Sequence, residues 1–332
     1  MINLRKQKLR FGINAQLTPL DLISTWDQLV DECIAGTAFH QRDVLMSLGI
    51  TEVISYRQNN QIVAALPILK TKSGQFSQDT RFIPYLGPIF KPISTSSRRM
   101  MNFMREIWGD LIAVLQHHYH RIDICMNHEI KDIVPFIQAG FLPEIRYTYL
   151  IDLEHSSASL KRLASKGRRY DLVKAKTEQV CIVRDDEVNN DLNYDVTKSA
   201  QKFKSGNHEE QLRGILAAFR KTGRCRVFFA LNAEQTVMGS LCMVWDAQNA
   251  YSILSYYLDE YAKMGVPTLL YYSAITYAKD VLQLKYFDLE GSVLPGIEKF
   301  YQSFGGTQAV YYNVHWRKKW SSDEIKAMYI YE

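Results

Sequence analysis

The chain repeats itself. Residues 121–151, RIDICMNHEIKDIVPFIQAGFLPEIRYTYLI, lie without a gap on 286–316, YFDLEGSVLPGIEKFYQSFGGTQAVYYNVHW. The overlay places Asp123 on Asp288, Gly140 on Gly305 and Tyr147 on Tyr312, with Phe136 on Tyr301. Three identities in so short a window could arise by chance, but they coincide with a shared strand–helix–strand plan, which makes duplication the better reading. A length of 332 residues is natural for two domains. A duplicated order of strands and helices predicts an α/β (α+β) fold with two tandem domains, each a central mixed sheet flanked by helices. The division is placed near residue 152, where the first Tyr-rich strand ends, giving halves 1–152 and 153–332.

Periodicity fills in the halves. Thr18-Pro19-Leu20-Asp21 has the chemistry of a helix start, and Ile23, Trp26, Leu29, Val30 and Cys33 follow at helical spacing. A short helix is predicted over His40–Leu48, strands over Thr51–Tyr56 and Ile62–Leu69 about a turn at Asn59-Asn60, and a third strand over Phe82–Tyr85. A long helix from about Ser96 to Tyr119 leads into strand Ile122–Met126, helix Ile130–Gln138 and strand Ile145–Ile151. The second half predicts helical segments near Ser157–Ala175, two more helices between Tyr194 and Lys221, and strands at Cys225–Leu231, Val237–Trp245 and Ala250–Tyr257. A long helix, Pro267–Leu282, then precedes the repeated close: strand Tyr286–Leu289, helix Pro295–Ser303, strand Ala309–Val314.

Composition excludes several classes. A net charge of +5 is a mild basic excess, which permits an anionic partner without demanding nucleic acid. Cys33, Cys125, Cys181, Cys225 and Cys242 are far apart and sit in apolar stretches, so they read as buried small hydrophobes in a reducing compartment. His117, His118 and His120 have no Cys or carboxylate at ligand spacing, and no metal site is expected. The N-terminus lacks the apolar core of a signal peptide, and no window approaches the roughly 18 apolar residues of a membrane helix, so a cytoplasmic location is expected. Nucleophile-elbow, Walker and Rossmann patterns are absent from the sequence. His315-Trp316-Arg317-Lys318-Lys319-Trp320 is basic with interleaved aromatics, as a phosphate-facing edge is, though a charged chain end accounts for it equally.

Several short segments carry candidate chemistry. Arg168 and Arg169 follow Lys166-Gly167 at a helix start; adjacent guanidinium forks beside a Gly suit a ligand-facing turn, or else form a solvated basic face. Glu290-Gly291-Ser292 closes an apolar strand just before a helix, a place from which a carboxylate and a hydroxyl point into a cleft; Ser292 can equally be a helix cap. Glu290 could take a proton from an attacking amine. Lys299 and Tyr301 lie on different faces of the next helix, and the Tyr301 hydroxyl could donate to a developing oxyanion. Tyr85-Leu86-Gly87-Pro88 ends a strand in a Gly-Pro turn, and Tyr256 lies at a strand end.

The closing segment FDLEGSVLPGIEKFYQSFGG, and YTYLIDLEHSSASLKRLASKGRRYDLVKAKTEQVCIVR before it, resemble the FemABX-like branch of the GNAT acyltransferase superfamily, and the likeness runs over nearly the whole chain. The resemblance implies tandem GNAT-like domains and transfer of an acyl or aminoacyl group to an amine, the acceptor being a small molecule or cell-envelope precursor that carries an anionic group. It implies no tightly bound cofactor, with aminoacyl-tRNA or acyl-CoA as donor. It further implies that an Arg at the position of Arg168 or Arg169 holds a diphosphate-linked sugar, that Tyr85 and Gly87 line the acceptor groove, and that Tyr256 lies opposite the donor. The sequence departs from coenzyme-A-dependent GNAT members at one loop, which is eroded in the FemABX branch too, and from the family itself in two places. Ala262-Lys263-Met264-Gly265-Val266-Pro267 stands where a coenzyme-A-dependent member carries its pyrophosphate loop, and Pro267 has no N–H to offer. Tyr301 stands where members that use aminoacyl-tRNA carry a reactive-site Lys, and Phe39–Leu48 has Arg42 but no Lys. An acetyl-CoA-dependent N-acetyltransferase and a non-catalytic double-GNAT binding protein are the alternatives.

Overall fold

The computed structural model describes residues 9, 11–69, 75–77, 82–187, 208–292 and 294–319. The chain divides into two compact units, one holding the residues up to Arg146 together with those from Val310 on, the other Tyr147–Ala309.

The first unit begins with β1 (Asn14–Pro19), α1 (Trp26–Glu32), α2 (Arg42–Ser47), β2 (Glu52–Gln58), β3 (Gln61–Pro67), β4 (Gln75–Ser77) and β5 (Ile89–Phe90). It continues through α3 (Ser97–His118), β6 (Arg121–Cys125), α4 (Val134–Gln138) and the start of β7 (Leu142–Asp152). β1, β2, β3 and β5 form an antiparallel sheet in that order. The β2–β3 hairpin turns at Asn59 and Asn60, whose φ angles of 50° and 64° are the left-handed values a tight hairpin needs. Ser96 caps α3, and the helix buries Phe103, Ile107, Trp108 and Leu111 in the core of this unit.

The second unit takes up β7 and continues with α5 (Ser157–Leu163), α6 (Lys166–Thr177), β8 (Cys181–Arg184), α7 (His208–Lys221), β9 (Cys225–Leu231), β10 (Val237–Trp245) and β11 (Asn249–Tyr257). α8 (Asp259–Ala262), α9 (Val266–Asp280), β12 (Tyr286–Asp288), α10 (Pro295–Gln302) and β13 (Thr307–Arg317) follow, β13 belonging to the first unit from Val310 on. In this unit the strand order is β7-β12-β11-β10-β9-β8, parallel only between β11 and β12. α9 packs on β10 and β9, burying Leu270, Tyr271, Ala274 and Ala278.

The repeat is present in space. Each copy runs strand, helix, left-handed glycine, strand, and Gly140 and Gly305 both have φ of 82°. That value lets the chain reverse directly after the helix, at little cost only for glycine. The closing strands, however, do not stay with their own copies. In the first unit β6 pairs antiparallel with β13 of the second copy, with Asp123 opposite His315. In the second unit β12 pairs antiparallel with β7 of the first copy, with Asp288 opposite Leu150. A linear division after 152, at the end of β7, therefore separates each closing strand from the strand it pairs with.

Three local expectations are corrected. Thr18 and Pro19 end β1, with the Thr18 hydroxyl 2.7 Å from that of Ser55; a single 3-10 turn over Leu20–Leu22 follows, and α-helix begins only at Trp26. Phe82–Tyr85 is irregular chain whose apolar side chains are buried by packing, and the strand that follows is β5. The helical segments expected near Ser157–Ala175 are α5 and α6, parted at Ala164, after which Ser165 caps α6 with its side chain. Cys181 is exposed, whereas the other four cysteines are buried. Of the helices expected between Tyr194 and Lys221, α7 is one; the other lies outside the described residues, as does Trp320. No described helix is long and apolar enough to cross a membrane.

Candidate active site

The start of α9 is sealed by α6. Gly265, with φ of 81°, precedes Val266 and Pro267, and a Cβ built on it would fall 2.2 Å from the Asp171 carbonyl oxygen. Only glycine permits so close an approach in that conformation. Arg168 donates to Thr268 Oγ1 at 2.7 Å and pairs with Asp171 Oδ2 at 3.1 Å, while Thr268 donates to the same Oδ2 at 2.8 Å. The Arg168 guanidinium also lies 4.8 Å from the centre of the Phe300 ring. Arg168 thus joins α6, α9 and α10, and Asp171 puts a carboxylate against the helix N-terminus, where partial positive charge favours an anion.

Beside this strut lies a cluster of hydroxyls and one carboxyl. Tyr271, buried on α9, donates to Ser255 Oγ on β11 at 3.2 Å. Its oxygen lies 3.4 Å from the Tyr301 hydroxyl on α10. With the Tyr271 proton given to Ser255, the proton in the Tyr271–Tyr301 contact comes from Tyr301. Phe300 and Phe304 pack edge-on and tilted against Tyr271 and keep this side dry. Burial, and then the neighbouring Tyr271, hold the Tyr301 hydroxyl well above its ordinary pKa, so it stays a donor.

Glu290 completes the cluster. It follows β12 with φ of 59°, a conformation non-glycine residues rarely hold, and such outliers concentrate at functional sites. Asp288 fixes this turn by accepting from the Glu290 backbone N–H at 2.7 Å and from the Thr148 hydroxyl. Glu290 Oε1 is buried and has no hydrogen-bond partner among the described residues. Burial, then the nearby Asp288 charge, push the Glu290 carboxyl well above the usual carboxylate range. The charge of Glu290 is felt at both Tyr271 and Tyr301, which places the three groups in one neighbourhood. A carboxyl raised by desolvation, beside hydroxyl donors at a strand end, has the character of a proton-exchanging group.

Residues 160–301, which hold both the strut and this cluster, match the family model described as an acetyltransferase (GNAT) domain. FemX superposes with a TM-score of 0.64 at 10% identity, over 90% of this chain and 96% of that one. Residues 160–301 thus resemble a GNAT acetyltransferase domain, and the chain as a whole has a FemX-like fold. A tandem GNAT protein from the clavulanic acid biosynthesis pathway aligns over 93% of this chain and 100% of its own, with TM-score 0.52 and 13% identity. The C-terminal domain of an Agrobacterium fabrum protein assigned as a lysylphosphatidylglycerol synthetase aligns over 93% and 95%, with TM-score 0.54 and 11% identity. No curated protein matches the chain in sequence.

The second unit gathers Glu290, Tyr301 and Arg168 of the residues singled out in the sequence and leaves others apart. Arg169 donates to the Arg162 and Ala164 carbonyls at the end of α5. Lys299 is exposed, two residues before Tyr301 on α10. Ser292 accepts from the Leu294 N–H at 3.1 Å in the turn into α10. Tyr256 alternates to the strand face opposite Ser255 and Tyr257. Tyr85 and Gly87 belong to the first unit. The Tyr85 ring, fully buried, lies 5.2 Å from Tyr311, and the Gly87 carbonyl accepts from His40 Nε2 at 2.9 Å. Sequence reasoning missed Tyr271, Thr268, Ser255 and Asp171, because a Tyr and a Thr within an apolar helix read as core. Among the described residues no group of His, Cys, Asp and Glu has the arrangement of a metal site.

Proposed function

We propose that the GNAT domain transfers an activated acyl group, in the first instance an aminoacyl ester carried on tRNA, to an amine on a cell-envelope precursor. The observation that carries this reading is the Glu290 carboxyl, raised by burial and held on a left-handed turn beside the Tyr271 and Tyr301 hydroxyls. The acceptor nitrogen attacks the ester carbonyl carbon, and the bond from that carbon to the donor oxygen breaks. Glu290, as carboxylate, takes the proton the amine loses and returns it to the departing oxygen, so no net proton is consumed. Tyr301 donates to the carbonyl oxygen as negative charge grows there.

The preference for an ester donor over coenzyme A rests on the α9 start. A diphosphate there would meet the Asp171 carboxylate and Pro267, which has no N–H. The FemX-like fold and the likeness to a lysylphosphatidylglycerol synthetase fold agree with aminoacyl transfer. Purified protein is incubated with aminoacyl-tRNA or acetyl-CoA and a panel of amines, and amide product is followed by mass spectrometry. Transfer from aminoacyl-tRNA is expected, reduced about 10²–10⁴-fold in Glu290→Gln. Thiol release from acetyl-CoA that depends on Glu290 would overturn the donor assignment. Full turnover in both Glu290→Gln and Tyr301→Phe would overturn the site.

A further inference from the structure

The first unit carries a second concave site that the acyl-transfer reading does not use. At one end of its sheet, β6 lies between β4, with Gln75 in register with Arg121, and β13, with Arg317 directly opposite Arg121. The chain then continues into Lys318 and Lys319, and the Lys318 N–H donates to the His120 carbonyl at 2.9 Å. These six residues line a cavity of about 360 Å³. Four of them are Arg or Lys, one is His120, one is Gln75, and no described lining residue is acidic.

Two arginines facing each other across an antiparallel pair repel, and such a pairing lowers sheet stability. The acids on the same sheet face are shared among several donors. Asp123 binds Arg121 Nε at 2.6 Å but is also held by His315 Nδ1 at 2.7 Å, and Glu144 is occupied by Arg146 at 3.0 Å and Asn313 at 3.2 Å. The register of three strands brings two guanidinium groups and a Gln amide to the cavity floor, with two ammonium groups beside them. Guanidinium forks and ammonium groups converging on a hollow of this size match the oxygens of a phosphate ester or diphosphate, and the volume lies at the small end of the range for ligand pockets. The site is also remote along its own strand from the position that corresponds to Glu290. Cys125 overlays Glu290 and lies four residues on from Arg121, roughly 13 Å at the rise of a strand.

We propose that this cavity is a binding site for a phosphorylated small ligand of diphosphate size, held by Arg121, Arg317, Lys318 and Lys319. The inference stands whether or not the proposed acyl transfer is correct.

The test is calorimetric titration of the full-length protein with sodium pyrophosphate at fixed ionic strength, so that screening is constant. Lys318 and Lys319 are exposed, and Lys318→Gln/Lys319→Gln should melt at the wild-type temperature without ligand. Saturable binding is expected in the wild type, weakened at least about tenfold in this variant. It should be unchanged in Lys161→Gln/Lys176→Gln, which makes the same charge change at exposed positions of the other unit. Arg317→Gln gives a second reading of the site. Equal loss in the control variant, or heat no different from that of sodium chloride at the same ionic strength, overturns the proposal. So does binding of an RNA hairpin that depends on Lys318 and Lys319 in a protein that takes up no pyrophosphate.

Discussion

At the scale of single residues, buried ionisable groups set the pH behaviour. Glu290 is the clearest case. Its folded pKa lies above its unfolded one, so its contribution to stability is complete at acid pH and is lost as pH rises through the folded value. Catalysis by the carboxylate runs the other way. We expect kcat/KM to rise with pH through the raised Glu290 pKa, and Glu290→Gln to lose that limb while melting higher than wild type on its alkaline side. A pH–rate profile of Glu290→Gln that keeps the wild-type limb would remove Glu290 from proton transfer. His40 in the first unit has the opposite sign. It donates from Nε2 to Gly87, so Nδ1 accepts from the Thr37 hydroxyl at 2.9 Å, and burial pushes its pKa down to about 4. The unfolded chain takes up a proton at ordinary imidazole pH that the folded chain refuses, so stability falls between about pH 6.5 and 4, by on the order of 3 kcal/mol in all. His40→Gln should flatten this acid slope in melting experiments, and parallel slopes for the two proteins would show that His40 is not its source. Glu290 and Tyr301 were legible because strand-end and helix positions within a repeat can be counted. Tyr271 and Ser255 were not, because in one sequence a hydroxyl aimed into a site looks the same as one satisfied in the core.

At the scale of elements, the contact between α6 and α9 decides what the start of α9 can bind. Its parts are one glycine and one charged triangle. Gly265→Ala would place a methyl group 2.2 Å from the Asp171 carbonyl oxygen at φ of 81°, and α6 would have to move. A loss on the order of 2–4 kcal/mol is expected in denaturant melts. Arg168→Ala, Asp171→Asn and their double variant should show a coupling of about 0.5–3 kcal/mol, since the two side chains touch each other and share Thr268. Activity should fall in step with stability across this cycle. A drop in activity with an unchanged melting temperature would assign Arg168 to substrate instead. Most elements were legible in the pattern: the Asn59-Asn60 hairpin, α3 with its Ser96 cap, and the two left-handed glycines all follow from local chemistry. The misreadings have local causes as well. Thr18-Pro19 has the letters of a helix start, but the Thr18–Ser55 hydroxyl contact and strand pairing outweigh a capping preference of about 1 kcal/mol. Tyr85 and Leu86 are apolar and buried without belonging to a strand, because burial alone does not require a ladder.

At the scale of the whole molecule, the informative feature is what the repeat does with its last strands. Overlaying two segments shows that a unit recurs; it contains nothing about which copy of the sheet each closing strand joins. That choice rests on long-range pairing, to which the alternation of side chains within one strand is blind. In the first unit, Asn313 to Arg317 pair with Cys125 to Arg121, Val314 is fully buried in the core, and His315 bridges Asp123 and Glu144. The His315 interactions matter on their own account. Burial opposes the charge on His315, but the two carboxylates raise its pKa, so the bridge is strongest where imidazole is protonated and both acids are ionised. A chain cut after Ala309 keeps every residue of 1–152, and a linear division would leave that half intact. The observed pairing gives the opposite outcome. The cut removes β13 from β6, exposes the Ile122 and Ile124 side of the core where Val314 packs, and leaves Asp123 without its imidazole partner. We therefore expect amide-exchange protection in β6 and α3 to collapse in the truncated protein, since strand edges that lose a partner open first. Protection in β6 equal to that of the full chain would mean that the first copy closes on its own strand.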